Sequence, residues 1–177
     1  MTKRRFLIAG VVVVLAVGLY LFQPWRLVTN RTASDALLVP TSTSSPTSSA
    51  SSPSASAMAM APEGPVAVAS GMFRSLEHAT TGTASLVRLA DGRHSVQFAG
   101  LDTSDGPDLH VYLSDKPSDS AEAAFGSGFT SLGKLKGNRG DQVYEIPASA
   151  DLASVKSVVI WCQRFSAGFG VAPLDKP

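Results

Sequence analysis

Three patterns of apolar and polar positions succeed one another along the chain. Residues 6–22 form an unbroken run of apolar and small residues without charge, and Lys3, Arg4 and Arg5 stand directly before it. The run predicts a transmembrane α-helix, and the cations ahead of it predict a cytoplasmic N-terminus (1–5) with everything beyond the helix outside the cytoplasm. At a rise of about 1.5 Å per residue such a helix is roughly 25 Å long, slightly short of a hydrocarbon core of about 30 Å. Snorkelling by Arg5 and Arg26 covers the gap. A cleaved secretory signal is the alternative. The exit, Tyr20-Leu21-Phe22-Gln23-Pro24-Trp25-Arg26, lacks the small residues a peptidase needs and places Trp25 and Arg26 as interface anchors, so the reading is an uncleaved signal anchor lodged in membrane lipid.

The second pattern is no pattern. Residues 41–57 are almost wholly Ser, Thr, Pro and Ala, and the wider stretch from about residue 31 to 65, within a linker bounded at 23 and 65, holds few large apolar side chains. A segment of that kind cannot bury enough surface to offset its ordering entropy, which predicts a disordered linker acting as a stalk. From residue 66 to 177 short alternating runs are separated by Gly, Asp and Pro, the texture of an all-β domain, here a small β-sandwich-like one. Residues 83–90 and 94–99 flank Asp91-Gly92, a strong hairpin signal. Further strands are predicted at 109–113, 129–135, 142–146, 157–162 and 168–174, about seven or eight in all; 118–125 reads as a short helix or loop and 148–154 as a turn.

Charge narrows the partners. From residue 64 onward ten Lys and Arg face twelve Asp and Glu, a near-neutral domain that argues against nucleic acid. Cysteine narrows them further. Thiols outside the cytoplasm are usually paired, yet Cys162 is the chain's only cysteine, leaving a free thiol, an intermolecular disulfide or a ligand to some group. In Ser157-Val158-Val159-Ile160-Trp161-Cys162 the period of two puts Val158, Ile160 and Cys162 on one face, so a buried small hydrophobe is the competing reading.

Six ordered blocks carry a resemblance. They are Gly71-x-Phe73; His78 to Ala84; Gly106-Pro107-Asp108-Leu109-x-Val111-Tyr112-Leu113-Ser114; Leu132-Gly133-x-Leu135-x-Gly137; Gly140-x-Gln142-x-Tyr144-x-Ile146-Pro147; and Val159-Ile160-Trp161-Cys162 continuing through Phe165, Phe169, Gly170, Ala172 and Leu174. Together they resemble the DM-thirteen domain family over essentially all of residues 70–175. The resemblance implies a compact β-sandwich-like extracellular module, often beside DOMON domains, with a part in electron transfer at cell surfaces. It implies that Cys162 works as a bare redox thiol or as ligand to a prosthetic group such as haem.

Several constellations could carry chemistry. A haem held by Cys162 needs an opposite ligand, for which His78 leads over His94 and His110; the absence of Cys-x-x-Cys-His excludes covalent c-type attachment. A bare redox thiol is expected to be partly exposed beside positive charge, which Arg164 would supply from the same strand face. Asp102, Asp105 and Asp108 crowd one Gly-bearing loop and are candidate calcium ligands, although the spacing is not that of an EF-hand and Asx turns explain it as well. Arg139-Gly140-Asp141 reads as part of a tight turn rather than as a cell-adhesion tripeptide. No hydrolase, metalloprotease or nucleotide-binding motif is present. Two functions remain: a redox module with a redox partner at the outer membrane face, and a non-enzymatic cell-surface binding or adhesion module whose cysteine is structural.

Overall fold

The computed structural model describes residues 2–22, 29–40 and 64–174. The apolar run is helical, as α1 (Thr2–Phe22). Its large side chains from Ile8 to Tyr20 are more than half exposed on every side of the helix, Val14 at 70% and Tyr20 at 72%. Among the described residues no helix is long and apolar enough to cross a membrane. The Ser-rich residues 41–63 lie outside the described residues.

The rest is β-structure in two sheets. The first has the order β1 (Thr32–Ser34), β8 (Arg139–Glu145), β5 (His94–Asp102), β4 (Thr81–Arg88) and β2 (Val66–Met72). The second runs β3 (Arg74–Ser75), β10 (Ala167–Pro173), β9 (Ser157–Cys162), β6 (Leu109–Ser114) and β7 (Phe129–Lys134). Every pairing is antiparallel except β1 with β8. The Asp-Gly hairpin forms as the sequence predicts: Gly92 has φ +83°, and the amide of Arg93 donates to the Asp91 carboxylate at 3.0 Å.

The main core lies between the sheets. Ala84, Leu86, Val96, Phe98 and Tyr144 of the first sheet meet Leu109, Val111, Val158, Ile160 and Phe169 of the second. A second cluster, Tyr112, Phe125, Val159, Trp161 and Val171, occupies the other face of the second sheet, where the 3₁₀ helix Glu122–Gly126 delivers Phe125 onto it. That is why all six residues of β9 are buried. The strand has no solvent side.

The linker expectation needs correction for residues 29–40, which seat against the domain as a strap. Within them β1 adds to β8 in register Thr32 with Arg139, Ala33 with Gly140 and Ser34 with Asp141. Polar side chains hold the strap. The Asn138 carboxamide accepts from the Arg31 amide at 2.6 Å and donates to Thr103 O and Asn30 Oδ1. Gln97 accepts from the amides of Leu38 and Val39 at 2.9 and 3.1 Å and donates to Val39 O at 2.9 Å. The Asp35 carboxylate receives the Lys136 ammonium and the Val143 amide, and these hold its carboxyl below the usual range against a small opposing effect of burial.

Arg139-Gly140-Asp141 is accordingly not a turn. It opens β8, with Gly140 at φ +92° and Asp141 paired to the strap. Since Asn138 is fully buried, Asn138→Ala strands the Arg31 amide and Thr103 carbonyl and should cost about 1–3 kcal/mol in a urea titration with unchanged slope. A cost near zero would mean that water replaces the carboxamide freely.

Candidate functional site

Cys162 ends β9 between Leu109 of β6 and Ala167 of β10. Its side chain joins Val158 and Ile160 in the main core, as the period of two predicts, and it is a free thiol with no exposed surface. The partial exposure expected of a bare redox thiol is absent. The chain turns away at once: the Gln163 amide donates to Asp108 O at 3.0 Å, and residues 163–166 form a turn with Ser166 at φ +52°. Arg164 sits exposed in that turn, so the expectation that it shares the strand face of Cys162 is corrected. A strand face ends where its strand ends.

His78 stacks on Phe169, with ring centroids 3.8 Å apart and planes at 23°. Phe169 is the extra residue of a bulge in β10, between Gly168 and Gly170, and it packs in the same core as Cys162. The loop before β6 closes this end of the sandwich: a side chain on Gly106 would come within 3.1 Å of the Leu109 and Phe169 side chains. The loop's Thr103 hydroxyl lies 2.7 Å from that of Thr80, and Thr80 Oγ1 donates to the carbonyl of Phe169 at 2.9 Å. Cys162, His78 and Phe169 thus belong to one end of the domain.

A haem does not fit this arrangement. Its iron would need the Cys162 sulfur at the wall of an apolar cleft, whereas the sulfur is enclosed by packed side chains and His78 spends its ring face on Phe169. His94 begins β5 beside the hairpin and His110 faces Asp108, so neither stands opposite the sulfur in the core.

The three carboxylates of the calcium expectation are each claimed by a different cation. Asp102 meets Arg139 at 3.0 Å, Asp105 meets Arg31 at 3.0 Å, and Asp108 meets His110 at 3.1 Å and Lys134 at 3.4 Å. Asp105 also accepts from the Thr29 hydroxyl and its neighbour's amide, Gly106 N. Among the described residues no three His, Cys, Asp or Glu side chains gather as a metal would require. Burial pulls the Asp108 carboxyl upward, but hydrogen bonds from His110 and Lys134 outweigh it and leave it lower than usual. The loop is built from ion pairs and turn bonds.

Sequence reasoning passed over the aromatic layer behind the cysteine. Trp161, the covalent neighbour of Cys162, points to the opposite face of β9 and clusters there with Tyr112. The Tyr112 ring stacks on Phe129 at 3.8 Å and 6°, and Phe129 is 38% exposed. Burial pushes the Tyr112 phenol up, while the hydrogen bond it accepts from Gln163 Nε2 at 2.7 Å works the other way. Trp161 and Tyr112 thus share one buried cluster behind the sulfur's strand, and the Tyr112–Phe129 stack carries that cluster to the surface. One large aromatic in each of β6 and β9, Tyr112 and Trp161, placed by the alternation away from the core set, was the available signal.

Comparison with known families matches residues 72–174 to Electron transfer DM13. No curated protein and no solved structure matches the chain. The matched span is more than half of the 177 residues and contains both sheets' central strands together with Cys162, His78 and the aromatic layer. The chain therefore belongs to the DM13 electron-transfer family.

Proposed function

We propose that the protein is an electron-transfer module anchored in the membrane by α1, with its β domain on the extracytoplasmic side and Cys162 at its working end. Family membership carries the reading. The anchor is supported by the charge-free run behind Lys3, Arg4 and Arg5, and by apolar side chains exposed all around α1, a distribution that lipid satisfies and water does not. The aromatic layer offers a path between the sulfur's strand and a partner at Phe129. Direct chemistry at the thiol, whether disulfide exchange or ligation, requires the loop of residues 102–108 or the turn of 163–166 to open, since the thiolate reacts only where a partner can reach it.

One observation favours a second reading. The complete burial of Cys162 suits a binding or adhesion module in which the cysteine only fills the core. The full chain in detergent separates the two. Its thiol is titrated natively and under a disulfide oxidant, in wild type and Cys162→Ser. Reversible oxidation of the native thiol by a disulfide supports the redox reading. A thiol that reacts only after denaturation overturns the role of Cys162.

A further inference from the structure

We infer that the strap of residues 29–40 clamps the β domain directly to the end of α1, so that residues 41–63 close a loop on the domain and are not the tether. This goes beyond the electron-transfer reading and does not depend on it.

The strap is held along its length by bonds from residues remote in sequence. Asp105 takes Thr29 and Arg31, Asn138 brackets Asn30 and Arg31, β8 pairs Thr32–Ser34, Lys136 takes Asp35, and Gln97 brackets Leu38 and Val39. The cradle also makes room for it. A side chain at Gly137 would meet the Arg31 carbonyl at 2.4 Å, and one at Gly140 the Ala33 carbonyl at 2.1 Å. Backbone oxygens cannot swing aside as a flexible side chain can. The groups that grip the strap are themselves inaccessible, with Asn138 at 0%, Gln97 at 1% and Asp105 at 2% exposure. Lifting the strap would leave a charge and two carboxamides without their partners, a cost that keeps it seated.

Connectivity then fixes the reach. Only residues 23–28 join the helix to the seated Thr29, and a chain that short spans at most about 25 Å even when fully extended. A free tether from residue 23 to 65 would instead reach on the order of 150 Å extended, with a mean near 35 Å. Orientation follows too. Thr29 and Arg31 bind Asp105, whose neighbour Gly106 packs on Leu109 and Phe169, so the end of the sandwich that holds Cys162 and His78 is the end tied to α1. The clamp keeps that end close to the helix, and release of the strap would lengthen the reach severalfold.

Cutting the loop tests this. A sequence-specific protease site is inserted between Ser48 and Ser49 of the full chain, which carries a tag on its N-terminus and is purified in detergent. After complete cleavage the β domain should remain on the tag resin, bound only through the strap. Arg31→Ala with Asp35→Ala lies on the strap fragment and leaves the domain's own sequence intact; it should lower retention at least about tenfold, equivalent to about 1.4 kcal/mol. A wild-type domain that washes off on cleavage, or retention unchanged by the double substitution, overturns the clamp. Because the readout is retention in detergent, neither result bears on membrane insertion or on electron transfer.

Discussion

Trp161→Ala is expected to lower the stability of the domain by about 3–5 kcal/mol, among the largest losses any single truncation here can cause. The indole is 5% exposed and supplies much of the cluster on the outer face of the second sheet, with Tyr112, Phe125, Val159 and Val171 around it. Gly126 lies over it, where a Cβ would rest in ordinary van der Waals contact 3.5 Å from Trp161 Cζ2. Alanine would leave a hole that the paired backbone of β6, β9 and β10 cannot fill by collapsing, so the cavity adds to the lost transfer energy. Against a total of about 5–15 kcal/mol the loss is severe, and the urea midpoint should fall sharply at constant slope. A change under about 1 kcal/mol would mean that the outer cluster is ordinary surface and that β9 has one buried face.

The same cluster shows where sequence reading stops. Hairpins and strand faces were legible because they are local: Asp91-Gly92 forces a turn, and the alternation in β6 and β9 sorts Leu109, Val111, Ile160 and Cys162 onto one side. Whether the other side is wet depends on a segment far along the chain. Nothing near residue 160 announces that Phe125 will cover it. Hence the face of Cys162 was legible and its depth was not.

Two other places have the same cause. Asp102, Asp105 and Asp108 look like a cation site while their partners Arg139, Arg31 and Lys134 are scattered over more than a hundred residues. The strap looks like linker because Thr32-Ala33-Ser34 buries little apolar surface; its docking is written in Gln97, Asn138 and the pair Gly137 and Gly140, on the receiving side. Gly140 read as a turn residue, and its place inside β8 at φ +92°, against the Ala33 carbonyl, shows only once the strap is seated.

In the folded domain, the thiol of Cys162 should react with a small alkylating reagent at least about a thousandfold more slowly than in the denatured chain. Each factor of ten in that ratio corresponds to about 1.4 kcal/mol of opening free energy, and central strands open only at several kcal/mol. The route of opening is readable from the same experiment. If a partner reaches the sulfur by local movement of residues 102–108 or 163–166, the labelling rate should stay nearly flat in mild urea, because little surface is exposed. Asp105→Asn, which weakens the pairing with Arg31 and leaves the strands untouched, should then raise the rate. If the sulfur appears only on global unfolding, the rate should climb with urea along the equilibrium slope and respond to Trp161→Ala as stability does. A native rate close to the denatured one would contradict the packing of β9 between β6 and β10, and with it the burial of Cys162.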